Sequence, residues 1–185
     1  MFAKVENNQI VAVNSSRSFF KNSSGIYEVI YNTTNLKDPE FYYNGAETFT
    51  FANNQVTASY APATPKKLED TNEVKEDGTP LLDQDGKQVV TKGLKSNHVA
   101  RIKSQAASLL QSTDWYVIRN AESGASIPAN ISTYRAAIRA KSNDMETLIN
   151  AVSSVEQLAA LYAYVNTGTE QAPVYTRPLG EFPRL

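Results

Sequence analysis

Cysteine is missing from all 185 residues, which excludes disulfides, thiolate metal sites and a cysteine nucleophile. Histidine occurs once, at His98, near the start of a helical pattern. A histidine-based triad would have to use it alone, and no Gly-x-Ser-x-Gly elbow presents a serine. Gly-x-Gly-x-x-Gly and Walker A patterns are absent as well, so phosphate cradling is unsupported. Neither sign of charge is in excess: 18 basic and 19 acidic side chains give a net charge of −1, and no global field draws the chain to nucleic acid or an anionic membrane. Long apolar runs are absent too. Met1 is followed by Phe-Ala-Lys-Val-Glu-Asn-Asn rather than by a basic stretch leading into an apolar one, so neither a signal peptide nor a transmembrane helix is expected. The chain is expected to be made and kept in the cytosol, with Asn14, Asn22, Asn32 and Asn130 bearing no glycan although each opens an Asn-x-Ser/Thr match. These absences predict a non-enzyme with no cofactor and no metal, which works by binding protein rather than nucleic acid or membrane.

What is present divides by composition into four parts: a β-rich module at 1–60, a linker or arm at 61–95, a helical module at 96–168 and an extended tail at 169–185. The fold class is α+β, with a small antiparallel N-terminal module and three to four short C-terminal helices. Phe2–Glu6 and Ile10–Val13 read as a hairpin across Asn7-Asn8, and Gly25–Tyr31 as an inner strand with Tyr27, Val29 and Tyr31 on one face. Asn44-Gly45 and Asn53-Asn54 predict turns that join Phe41–Tyr43, Thr48–Phe51 and Val56–Tyr60 into a three-stranded meander. Such a sheet leaves edges to be covered by another chain or another part of this one. Its aromatics, Tyr31, Phe41, Tyr42, Tyr43, Phe49, Phe51 and Tyr60, read first as half-buried cross-strand pairs; a platform for a sugar or a nucleobase is the rival reading.

From Ala61 the chain is charged, proline-bearing and nearly free of large apolar groups, the composition of a segment that cannot offset its ordering entropy by burial. Glu76-Asp77-Gly78 and Gln84-Asp85-Gly86 mark two turns eight residues apart, and Leu81-Leu82 can pair with Val89-Val90 across the second. Asp83-x-Asp85-Gly86 has the look of a calcium loop but lacks the third spaced ligand and the closing glutamate. The acidic pairs Glu69-Asp70 and Glu76-Asp77 fall in this arm, where a carboxyl gains neither burial nor a shifted pKa. They read as solubilising charge.

The helical module begins with Val99, Ile102, Ala106 and Leu109 on one stripe, over residues 98–111, with Ser96 or Asn97 as N-cap. A turn holding the only tryptophan, Trp115, leads to a second helix that starts near Ser126-Ile127-Pro128 and carries Ile131, Tyr134, Arg135 and Ile138. Asn143-Asp144 reads as the start of a third helix, and Ser153-Ser154-Val155-Glu156 as the capping signature of a fourth. The tail, which carries Tyr175 and Phe182, is spaced by prolines yet not very polar. It is expected to lie on something, either the chain's own helices or a neighbour.

The run Leu109-Leu110-Gln111-Ser112-Thr113-Asp114-Trp115, followed by Ile127-Pro128 and Tyr134-Arg135-Ala136-Ala137-Ile138-Arg139, resembles the tail-fibre assembly proteins of tailed bacteriophages. In that family a helix ends in a Leu-Leu-x-x-Thr-Asp-Trp turn and a second helix carries Tyr-Arg-x-x-Leu-Arg; Ile138 stands here for the leucine. The likeness is confined to residues 96–140, about a quarter of the chain. Val5–Val11 is weakly similar to the β-rich starts of such proteins. The resemblance implies binding to a tail fibre or a neighbouring tail protein, within a homo- or hetero-oligomeric assembly, in the host cytoplasm during assembly and in the virion tail if the role is structural. Two alternatives are a transient assembly chaperone absent from the particle and a receptor- or carbohydrate-binding module. Candidate partner-binding residues are Trp115, Tyr134, Arg135, Arg139, Tyr175 and Phe182. The plainer expectation for Trp115 and Arg135 is that they hold the helical hairpin together, Trp115 by packing across the helices and Arg135 or Arg139 by meeting Asp114 or Glu122.

Overall fold

The computed structural model describes residues 1–185, and the chain divides into two compact units, Met1–Lys66 and Lys67–Leu185. The fold is α+β.

In the first unit β1 (Phe2–Glu6) and β2 (Gln9–Asn14) form the expected hairpin. Asn7 and Asn8 both take positive φ, 51° and 60°, as a two-residue turn matched to strand twist requires and as asparagine tolerates. A short 3₁₀ turn at Arg17–Phe20, capped by the Ser16 hydroxyl, leads into β3 (Ile26–Asn32). β4 (Tyr42–Tyr43), β5 (Glu47–Ala52), β6 (Gln55–Tyr60) and β7 (Thr64–Pro65) follow. The main sheet runs β2-β1-β3-β6-β5. β3 is an inner strand, and the buried face is the one carrying Val29: Ala3, Val29, Val56 and Ala58 are enclosed, with Tyr27, Phe49 and Phe51 packed against them. Its two edge strands, β2 and β5, approach each other, so the sheet curls into a half-barrel and partly shields its own edges.

Two expectations fail here. β3 pairs with β6 in parallel, Val29 opposite Val56, so the sheet is mixed and not antiparallel throughout. Asn44-Gly45 is also not a hairpin turn. β4 pairs with β7, and only β5 and β6 form the hairpin, across Asn53-Asn54 at φ 52° and 59°. The Asn44 side-chain amide instead bonds the backbone of Lys37 on both sides, accepting from its N–H (2.9 Å) and donating to its carbonyl (3.0 Å). Gly45 is needed for close approach: a Cβ there would lie 2.5 Å from the Ala61 carbonyl oxygen.

The second unit opens with what composition predicts to be a loose arm. It has instead a closed backbone arrangement around three residues spaced by eight. Glu73 N–H donates to the Val89 carbonyl (2.9 Å), Val89 N–H to Leu81 (2.8 Å) and Leu81 N–H back to Glu73 (2.9 Å). The Gln88 side-chain amide donates to the same three carbonyls, at 2.7 Å to Glu73, 2.9 Å to Val89 and 3.2 Å to Leu81. β8 (Thr71–Asn72) pairs with β9 (Val90–Thr91), and the turns at Gly78 and Gly86, both at positive φ, close the two other arms. In the second arm Leu82 faces Gln88 and Val89 N–H donates to the Leu81 carbonyl, so Leu81 and Val89 pair across the turn as expected. Hydrogen bonding, which composition does not count, organises this segment.

Four helices follow. α1 (Leu94–Gln111) starts four residues before the expected 98 because its cap is not local. Ser96 and Asn97 lie inside the helix, and the Asp70 carboxylate accepts from Gly93 N–H (2.9 Å) and from Lys92 Nζ (2.8 Å). α2 (Asp114–Ser123) occupies what reads as a turn, and Gly124 at φ 69° ends it. α3 (Ala129–Ala151) is one helix of 23 residues, not two. Its buried stripe runs unbroken through Ile138, Ser142, Met145 and Ile149, so Asn143-Asp144 is interior. α4 (Val155–Tyr162) is capped as expected, Ser154 Oγ accepting from Gln157 N–H and the Gln157 side chain accepting from Ser153 N–H. No helix is long and apolar enough to cross a membrane.

Candidate functional site

The segment that carries the family likeness is built around one buried cation. Thr113 is 2% exposed and Arg135 7%. Thr113 Oγ1 donates to the Leu110 carbonyl (2.8 Å), and Arg135 Nη1 reaches that carbonyl (2.9 Å), Thr113 Oγ1 (2.7 Å) and Asp114 Oδ1 (2.8 Å). Three acceptors on one chain reversal hold the guanidinium, and it in turn fixes the angle at which α2 leaves α1. Arg135 is therefore internal structure. Tyr134, one residue before it, is buried with Ala106 and Ile138 between α1 and α3.

Trp115 does not pack across the helices. It is half exposed, stacks on Tyr116 with ring centroids 3.8 Å apart, and lies under the Arg119 guanidinium at 4.7 Å. The reason is the phase of α2. Trp115, Ile118 and Ala121 recur every three residues with Val117 beside them, which makes one apolar stripe. That stripe faces outward: Trp115 is 50% exposed, Ile118 56% and Val117 39%. α2 buries no residue completely, and the Arg119 guanidinium lies over the Trp115 and Tyr116 rings, its Nε enclosed without a hydrogen-bond partner. Sequence reasoning passed over Val117, Ile118 and Arg119 because Asp114–Ser123 was read as a turn; the i, i+3 spacing of Trp115 and Ile118 is the signal that locates them.

The tail docks on the chain's own helices. Leu179 is fully buried and its N–H donates to the Leu161 carbonyl (3.0 Å), while Phe182 packs on Ala106, Tyr134 and Ile138. Arg177 pairs with Glu181 (2.7 Å), which also accepts the Tyr164 hydroxyl (2.6 Å); that bond to a carboxylate raises the Tyr164 pKa above its ordinary value. Between the tail and α1 lies an open groove of about 620 Å³, walled by Leu109, Tyr134, Phe182 and Pro183, with the Arg177–Glu181 pair and Arg184 on its lining. Tyr175 stands 63% exposed on β11 (Tyr175–Thr176), which pairs with β10 (Val165–Asn166). Arg139 is exposed on α3.

His98 is 3% exposed, its Nδ1 2.7 Å from the Tyr162 hydroxyl and 2.8 Å from Arg101 Nη2. Of the N-terminal aromatics, Phe41 is buried and Phe49 and Phe51 pack on the sheet core, whereas Tyr31 and Tyr43 are exposed. No group of three or more histidine, aspartate or glutamate side chains is placed to hold a metal ion. The acidic pairs do not behave as inert charge. The Lys92 ammonium, the Gly93 amide and the Ser96 hydroxyl hold the Asp70 carboxyl at about 2, and the Thr79 hydroxyl and amide lower Asp77. Comparison with protein-family models, with curated proteins and with solved structures found no match.

Proposed function

We propose that this chain is a bacteriophage tail-associated protein that binds a tail fibre or a neighbouring tail protein, as a structural component or assembly factor of the virion tail. The observation that carries the reading is the outward apolar face of α2. It starts at Trp115, inside the Leu-Leu-x-x-Thr-Asp-Trp stretch on which the resemblance rests, and it is held at a fixed angle by Arg135. A helix that exposes a tryptophan and an isoleucine on one stripe and buries no residue of its own is arranged to meet another protein surface. The work is done by shape and apolar contact, without catalysis. The chain acts in the host cytoplasm during assembly and resides in the virion tail if it stays bound.

Quantitative mass spectrometry of purified phage particles, together with a pull-down from infected cells using the tagged full chain, tests this. Peptides at fixed stoichiometry in the tail fraction are expected. Absence from particles with capture of a tail fibre from cells assigns the transient chaperone role. Absence from particles with no tail protein captured overturns the reading.

A further inference from the structure

The groove beside the tail and the outward face of α2 complement each other. The α2 stripe is apolar, with acidic groups at its ends: Asp114, half exposed beyond its contact with Arg135, and Glu122, exposed and without an ion pair. The groove is apolar along Leu109, Tyr134 and Phe182; of the charged side chains that line it, Arg177 is paired with Glu181, whereas Arg184 is exposed and has no ion pair. At about 620 Å³ it is large enough to take a tryptophan and an isoleucine side chain together. The two features are also neighbours, since Leu109 of the groove precedes Asp114, the first residue of α2, by little more than one helical turn.

We propose that the chain forms a two-fold dimer in which the α2 face of each copy, led by Trp115 and Ile118, seats in the Leu109–Phe182 groove of the other. Area favours this reciprocal arrangement. The apolar side chains of α2 alone expose well under the ~800 Å² per partner of a standard stable interface, so a helix-on-helix contact between two α2 elements is too small. Mutual seating uses two helix faces and two grooves at once, and a patch and its complement that lie side by side close under a two-fold axis. Glu122 of each copy then meets Arg184 of the other at the edge, which sets orientation more than affinity. The dimer covers the same α2 face on which the tail-protein reading rests, so a second copy and a tail protein compete for it, and sedimentation of the chain alone tests the dimer separately from that reading.

Sedimentation velocity of the full chain over a concentration series tests it. The wild-type chain is expected to dimerise. Ile118→Asp, at a position already exposed, should weaken the dimer roughly tenfold to a hundredfold while far-UV circular dichroism stays unchanged. Arg184→Glu and Glu122→Arg should each weaken it, and the double charge swap should restore it. A chain that stays monomeric at the highest attainable concentration, an open-ended polymer, or a dimer unaffected by Ile118→Asp overturns the proposal. So does a dimer in which the charge swap fails to rescue the single variants.

Discussion

Arg135 and Thr113 lie 22 residues apart in sequence and 2.7 Å apart in space, guanidinium nitrogen to hydroxyl oxygen. This contact joins the middle of the module to its chain reversal, and it explains why a nearly buried cation sits in the apolar stripe of α3. Both the carbonyl that ends α1 and the carboxylate that begins α2 converge on the same nitrogen.

Removing that cation should loosen the whole reversal. Arg135→Met keeps the apolar stem but leaves the Asp114 carboxylate without its ion pair and the Leu110 carbonyl with only the Thr113 donors of its own turn, and we expect a loss of about 2–4 kcal/mol in urea unfolding. Arg135→Lys should recover only part of it, since a single ammonium cannot match the planar fork. A loss below about 0.5 kcal/mol would mean that the contact is incidental.

Gln88 is the hub of the closed backbone ring. Gln88→Glu replaces its donor with a carboxylate facing the Glu73, Leu81 and Val89 carbonyls. Amide hydrogen exchange at residues 73, 81 and 89 should accelerate together in this variant, with α3 unaffected. Unchanged protection would show that the three backbone bonds alone hold the junction.

The cap on α1 depends on pH in a defined sense. Folding depresses the Asp70 pKa from 3.8 to about 2, so its contribution is complete above the unfolded value and is lost as pH falls through the folded one. The chain should lose stability between about pH 4 and pH 2 on this account, and Asp70→Asn should flatten that part of the profile. Denaturant melts of both proteins at stepped acid pH make the comparison. Parallel profiles would remove Asp70 as the cause.

Leu179 is the buried anchor of the tail. Leu179→Ala should cost about 2–4 kcal/mol and make residues past Arg177 sensitive to limited proteolysis before the helices unfold. Equal resistance in the variant would place the anchor elsewhere, on Phe182.

Local chemistry made much of this legible in advance. Asparagine pairs at 7–8 and 53–54 specify turns because they tolerate positive φ without help, and alternation puts Tyr27, Val29 and Tyr31 on one face of an inner strand, the face the structure buries at Val29. The α4 cap is written in four consecutive residues, and an ion pair from Arg135 or Arg139 to Asp114 or Glu122 is legible, of which the structure makes Arg135 to Asp114.

Other features were settled by partners distant in sequence, which no local pattern encodes. Asn44-Gly45 carries a turn signature, but Lys37 and Ala61 claim both residues. α1 begins where the Lys67 and Leu68 carbonyls accept from Leu94 and Lys95 N–H and Asp70 holds Gly93 before them, and the charged arm is ordered because Gln88 reaches three carbonyls from three passes of the chain. The sequence alone determined an α+β chain whose one tryptophan follows the end of the first long helix. Only the tertiary structure decided that this tryptophan opens a further helix whose apolar stripe points outward, because the backbone angle after Thr113 is set by a guanidinium contributed from another helix.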